Sequence, residues 1–252
     1  MKRYFKRLIK SLLAHLGYEI RPLLSFVPSL DIIHDQKQLL LDVAHPIIIQ
    51  LGAHVGRYTE TLSHIFPSAK IYAFEPNPDI FEQLRSNFDR SQTVKPIPFA
   101  VSDRNGVAKF YVTKSPVKHS LLRGITEKTS PVESIEVRTV TIDEFCQQEA
   151  IREIHVLSMD IQGGEFHALR GGGGMLASKS IRIIDAEISF LDRYEMQSKF
   201  DDILHLLYGA GYSTFRLYAG STFEPGRPIT SLNAVFVRTS LQQSLERNRS
   251  WA

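Results

Sequence analysis

The feature that most constrains this chain is the run from residue 47 to residue 77, where the stretch Ile47-Ile48-Ile49-Gln50-Leu51 breaks into Gly52-Ala53-His54-Val55-Gly56. A run with so little polar alternation suits a strand buried on both faces, and the small residues after it suit a sharp turn into a helix. Residues 58–65 have helical spacing, 70–74 read as a second strand, and that strand ends in Glu75-Pro76-Asn77. Strand, glycine turn, helix and strand in this order make a βαβ unit, and its parallel strands require a crossover that covers the sheet.

A carboxylate at the tip of the second strand, about twenty residues after a glycine turn, is placed to accept hydrogen bonds from two ribose hydroxyls. The turn spells G-x-x-x-G and lacks the fuller G-x-G-x-x-G pattern that cradles a pyrophosphate. An NAD-linked oxidoreductase is therefore the weaker alternative. Adenosine with a different appendage fits better, and S-adenosylmethionine is the candidate.

The rest of the chain repeats the alternation of short apolar runs and helical periods. Residues 79–88 read as a helix, 94–101 as the third strand, and Asn105-Gly106 as a turn into an antiparallel edge element. Residues 114–134, rich in Ser, Thr, Lys and Pro, read as a long lid-like loop. Then come a strand at 135–140, a helix at 142–149, and a buried strand at 155–159 that ends at Asp160. A helix at 165–170 is expected to stop in the four glycines 171–174, followed by a strand at 181–188 and a helix at 200–207. Residues 213–217 and 233–237 suit a closing antiparallel pair. The pattern is that of an α/β fold, a largely parallel sheet with helices on both faces. At 252 residues and 43% hydrophobic, the chain supports one substantial core. We divide it into a lead-in at 1–44, a domain at 45–238 and a polar tail at 239–252.

The net charge of +3 has a local origin, because Lys2, Arg3, Lys6, Arg7, Lys10 and Arg21 face only Glu19 in the first segment. The remainder is near neutral, which gives a nucleic-acid partner little support. Residues 1–16 place Phe5, Leu8, Ile9, Leu12, Leu13 and Leu16 on one helical stripe. Such a helix docks on its own domain or on a second subunit of a homo-oligomer, the commoner fate, or lies peripherally on the anionic inner membrane face. A single cysteine, Cys146, excludes an intramolecular disulfide and a multi-Cys zinc site, and fits a reducing, cytoplasmic setting. No run approaches the ~20 apolar residues of a membrane span, and the N-terminus lacks the features of a signal peptide.

Five blocks stand in a consistent order: Leu51-Gly52-Ala53-His54-Val55-Gly56-Arg57-Tyr58-Thr59, Tyr72-Ala73-Phe74-Glu75-Pro76-Asn77-Pro78, Ala100-Val101-Ser102-Asp103 with Gly106, Thr139-Val140-Thr141-Ile142-Asp143, and Met159-Asp160-Ile161-Gln162-Gly163-Gly164-Glu165. On them the chain resembles the FkbM family of S-adenosylmethionine-dependent methyltransferases, over roughly residues 45–238. The resemblance implies a Rossmann-like class I methyltransferase fold, with a largely parallel seven-stranded sheet and an antiparallel closing strand. It puts Gly52, Ala53 and Gly56 on the methionine side of the cofactor, with Gln50, His54, Tyr58 and Thr59 alongside. Glu75, with Pro76 and Asn77, falls at the ribose, and Ser102 or Asp103 near the adenine. The chain departs from the family's usual Asp at Gln50, Asn at His54 and Lys at Ser158, and from its frequent Glu at Gln162 and Asp at Asn233.

The implied activity is O-methylation of a sugar, glycan or secondary-metabolite hydroxyl, a small-molecule or glycan acceptor. A cofactor-binding protein of the same fold without turnover is the alternative. Asp160, at the carboxyl edge of the sheet, is expected beside the sulfonium or the acceptor hydroxyl, with Glu165 or Glu187 completing the acceptor site. Asp160 could instead cap the following helix and Glu165 serve its dipole. His119 is a weaker candidate base, and no metal is expected. Residues 114–134 and 189–195, including Tyr194, would shape the acceptor pocket.

Overall fold

The computed structural model describes residues 32–219 and 228–248, so the helix expected at 1–16 lies outside the described residues. In chain order the elements are α1 (Ile32–Leu39), β1 (Ile47–Leu51), α2 (Arg57–Ile65), β2 (Lys70–Phe74), α3 (Pro78–Asn87), β3 (Val94–Ile97), β4 (Ala100–Val101), β5 (Gly106–Thr113) and β6 (Pro131–Val140). There follow α4 (Ile142–Gln148), β7 (Ile154–Met159), α5 (Glu165–Arg170), α6 (Gly173–Ala177), β8 (Ile181–Ser189), α7 (Phe200–Gly209), β9 (Tyr212–Ala219), β10 (Ser231–Arg238) and α8 (Thr239–Asn248).

Alternation within the apolar strands builds two cores. Ile49 and Leu51 join Tyr72, Phe74, Leu157 and Met159 on one face, while Ile48 joins Ile71, Ala73, Val156 and Ile183 on the other. Burial on both faces is why these strands read as unbroken apolar runs. The seven-stranded sheet has the order β3-β2-β1-β7-β8-β10-β9. It is parallel from β3 through β8, and β10 runs antiparallel to β8 and β9, as the expected closing pair requires. Chain order reverses between β1 and β7. Helices α2 and α3 carry the chain outward to β2 and β3, leaving a crevice at the carboxyl tips of β1, β2 and β7.

Four expectations are corrected in detail. The third strand divides: β3 pairs with β2 as the edge of the main sheet, whereas β4 pairs with β6 in a separate sheet of order β4-β6-β5. Pro96 is tolerated because an edge strand has a side where no ladder donor is required. Strand β6 begins at Pro131 and not at 135, because its outer half is mostly solvent-facing and its sequence resembles a loop. The glycine run does not simply end a helix, since Gly173 opens α6, whose N-terminal Gly174 and Met175 N–H groups donate to the Asp143 carboxylate at 2.7 and 2.9 Å. Finally, the expected polar tail forms α8, which lays Leu241 and Leu245 on the second core. No described helix is long and apolar enough to cross a membrane.

Candidate active site

The first residues beyond β1, β2 and β7 are Gly52, Glu75 and Asp160, and all three line one cleft of about 760 Å³, a volume that includes the space at its mouth. Gly52 adopts φ +81°, and a Cβ there would stand 2.0 Å from the Asp160 carbonyl oxygen. The glycine therefore lets the tips of β1 and β7 meet without a side chain between them. The turn's own donors are engaged internally: Gly52 and Ala53 N–H donate to the Phe74 carbonyl at 3.1 and 2.8 Å. Gly56, at φ +92°, is thin for a different reason, since a Cβ would meet Leu84 of α3 at 2.8 Å and Phe88, the residue that caps that helix, at 2.4 Å.

Glu75 is held by two backbone donors, His54 N–H at 3.0 Å and Asn77 N–H at 2.9 Å, one on each carboxylate oxygen. Burial pushes its carboxyl up to about 7 despite those donors. Asn77 itself caps α3, its Oδ1 accepting from Asp79 and Ile80 N–H, and Pro78 follows at the first helical position. His54 stands at φ 51°, and its Nε2 is buried in the cleft wall without a hydrogen-bond partner among the described residues. Burial first, then the Arg57 charge, lowers its basicity. Pro76, Phe99 and Val101 supply an apolar wall.

The remaining residues expected at a cofactor lie around this cleft, outside its lining. Gln50 is buried beneath the turn and accepts from Thr59 Oγ1 at 2.7 Å, Ala53 is buried, and Tyr58 packs on α2 against the second core. Ser102 and Asp103 line an adjoining cleft, where Asp103 faces Arg104, His167 and Arg170. Ser158 and Asn233 donate to the buried Asp185, at 3.3 and 3.2 Å, and Gln36 of α1 adds a third donor. Burial pushes Asp185 up to about 7. The departures at Gln50, Ser158 and Asn233 are thus each met by a buried partner, Thr59 for the first and Asp185 for the other two, and none of the three lines the cleft.

At the β7 tip the centre of the arrangement is Gln162, held at φ 54°. Its amide nitrogen donates to Asp160 at 2.7 Å and to Glu187 at 3.2 Å, while its oxygen accepts from Lys118 Nζ and Tyr194 OH, each at 3.1 Å. All four hydrogen-bonding positions of the amide are used, which fixes its orientation. Burial, and then the neighbouring Asp160 charge, holds Glu187 above the usual carboxylate range. Asp160 caps no helix. Glu165 instead ties the turn, its Oε1 accepting from Ile161 and Gly163 N–H at 3.1 and 3.3 Å, and full burial pushes it up to about 8. His119 lines the cleft, but its Nδ1 accepts from Thr113 N–H at 3.0 Å. The neutral ring therefore carries its proton on Nε2 and presents a donor, not a base.

Sequence reasoning missed Phe99, Val117, Leu121 and the bridging role of Gln162. The only available signal was the placement of apolar residues within the polar lid. Lid residues 117–121 are held over the cleft because Ser120 Oγ donates to the Gln162 carbonyl at 3.0 Å and Tyr194 OH shares its one proton between the Lys118 carbonyl and Gln162 Oε1, each at 3.1 Å.

A switch-point cleft with a ribose-type carboxylate and no pyrophosphate turn defines an adenosine-cofactor enzyme of the α/β class. The chain belongs to the methyltransferase FkbM domain family, whose model matches residues 50–214. It is 27% identical over 190 residues, 69% of this chain and 76% of the relative, to the 2-O-methyltransferase NoeI of Sinorhizobium fredii. It is 29% identical over 154 residues to the hexuronic acid methyltransferase AglP of Haloferax volcanii, covering 60% of this chain and 61% of that protein. Among solved structures the METTL16 methyltransferase domain shares the fold at 16% identity and a TM-score of 0.50, over 92% of this chain and 78% of that one. The protein is a methyltransferase, and S-adenosylmethionine is its methyl donor.

The cleft's chemistry suits that cofactor: it offers a buried carboxylate able to accept from ribose hydroxyls, an imidazole nitrogen without a partner among the described residues and an apolar wall. Hydroxyl donors favour the ionised form of Glu75, and protonation at low pH removes part of its acceptor capacity. Affinity for S-adenosylhomocysteine is therefore expected to rise about tenfold between about pH 5.5 and pH 8. Glu75→Gln is expected to bind weakly with a flat pH profile, which calorimetry checks.

Proposed function

We propose that this protein methylates a hydroxyl of a sugar or glycan, with Asp160 removing the hydroxyl proton. The observation that carries this is the Asp160–Gln162–Glu187 arrangement at the β7 tip, open to the cleft that fits the cofactor. S-adenosylmethionine supplies an electrophilic methyl group on a sulfonium. The chain's own contribution is to position the hydroxyl and hold the proton. Two carboxyls in unlike environments divide acid and base roles, and here Asp160 is the solvent-facing member while Glu187 is held toward its protonated form. Gln162 keeps both side chains oriented. Positioning can supply roughly 7–11 kcal/mol of such a barrier, and a base typically 10²–10⁴-fold in rate.

The sugar class is supported by the names of the two relatives, a 2-O-methyltransferase and a hexuronic acid methyltransferase. The test is transfer of a labelled methyl group to a panel of glycosides, oligosaccharides and RNA. Alkali-stable label on a glycoside or oligosaccharide is expected. Label on RNA alone, or an alkali-labile ester, would overturn the proposal.

A further inference from the structure

Beside the main cleft, and sharing Gln162 with it, lies a shallow polar recess of about 260 Å³, most of which is the open space at its mouth. Its wall includes Glu187, Ser189, Arg193 and Tyr194. The half-buried Arg193 has no hydrogen bond or ion pair to its guanidinium among the described residues. The other partly buried arginines are paired: Arg182 with Asp42, Arg216 with Asp35 and Arg238 with Glu153, at 2.6, 3.1 and 2.9 Å. An arginine withdrawn from solvent without a carboxylate is costly unless something else supplies the anion.

Arg193 is also held firmly in place. Its N–H donates to Gln197 Oε1 at 3.1 Å, and its carbonyl accepts from Ile125 N–H and Thr129 Oγ1, each at 2.9 Å. The positive charge reaches Glu187 and Tyr194, offsetting a part of the burial that raises both. The Lys118 ammonium bonds to Gln162, and it too acts on Glu187. Two cations therefore act on Glu187, and one of them has a planar, five-donor fork without a partner among the described residues.

We propose that Arg193 binds a carboxylate carried by the acceptor, so that the preferred acceptor is a hexuronic acid residue whose hydroxyl is methylated at Asp160 while its carboxylate is held in the recess. This rests on the methyltransferase function proposed above and names its substrate class. A planar carboxylate matches the guanidinium two bonds to two. A sugar phosphate shares the anionic chemistry, but its tetrahedral group is bulkier than a planar carboxylate in so small a recess, which favours the carboxylate.

The test uses the full chain saturated with S-adenosylhomocysteine, and measures calorimetrically the binding of methyl glycosides of hexuronic acids, of the matching neutral hexoses and of their 6-phosphates, in gluco, galacto and manno configurations. At least one uronide is expected to bind about ten- to a hundredfold tighter than its neutral partner. Arg193→Gln is expected to erase that preference and Arg193→Lys to restore part of it, with S-adenosylhomocysteine affinity equal in all three proteins. Equal binding of uronide and hexoside, no binding of any uronide, a preference for the phosphate, or a preference that survives Arg193→Gln would each overturn the inference. Failure of the wild-type chain to bind S-adenosylhomocysteine would instead remove the cofactor assignment beneath it.

Discussion

Asp160→Asn is expected to lower the turnover number by about 10²–10⁴-fold at saturating acceptor, the range that a positioned base contributes. The substitution keeps size and shape, and the new amide oxygen can still accept from Gln162, so the fold and the turn survive. Affinity for S-adenosylhomocysteine, uncharged at sulfur, is expected to stay within about threefold, because the variant removes a charge and not a contact surface. Glu187→Gln should behave differently. With its carboxyl already held toward the protonated form by burial, a neutral amide imitates the working state, and the loss should be only a few-fold. Steady-state kinetics on both variants with one acceptor decide the matter. A large loss in Glu187→Gln beside a small one in Asp160→Asn would reverse the roles, and two small losses would mean that neither group is the base.

The second large effect is structural. Gly52→Ala places a methyl group 2.0 Å from the Asp160 carbonyl oxygen and 3.0 Å from its carbon, on a residue at φ +81°. Left-handed backbone costs an alanine about 1–2 kcal/mol, and the backbone overlap cannot be relieved by turning a side chain. We expect a loss of at least ~3 kcal/mol, a fall in Tm of about 6–12 °C for a domain of this size. Asp160 must shift with the β7 tip, so cofactor binding and turnover should both fail. Gly173→Ala is the control. A Cβ there meets nothing within 4 Å at the start of α6, and stability should be unchanged or slightly higher. Thermal unfolding of the two variants side by side makes the comparison. A Gly52→Ala protein as stable as wild type would contradict the close approach of β1 and β7.

The order of the main elements was legible because strands buried on both faces leave long apolar runs, and because Gly52 and Glu75 are separated by one helix. Where burial is one-sided or slight, the pattern weakened. Strand β6 carries Glu133, Ser134 and Glu136 on its exposed outer half, and so resembled a loop. Helix α8 rests on Leu241 and Leu245 in an otherwise polar stretch, too sparse an apolar signal to find. Among candidate site residues, Gly52, His54, Glu75, Pro76 and Asp160 line the cleft, whereas Gln50 and Thr59 bond to each other beneath it and Asn77 caps a helix. Sequence adjacency to a motif does not say which way a side chain points.

What the sequence determined by itself was the βαβ order, the thin turn at Gly52 and the carboxylates at the strand tips, since each follows from local spacing and a fixed side-chain period. What only the tertiary structure decided was how those tips work together. Gln162 joins Lys118, Asp160, Glu187 and Tyr194, and three of those four partners lie at least 25 residues away along the chain. Such contacts depend on strand order and on how the lid crosses the cleft. Glu187 is shifted by burial that many distant residues share, and Arg193 has no ion pair among the described residues because no carboxylate was folded within bonding distance of it. None of these has a local signal, because burial and pairing are properties of the assembled chain.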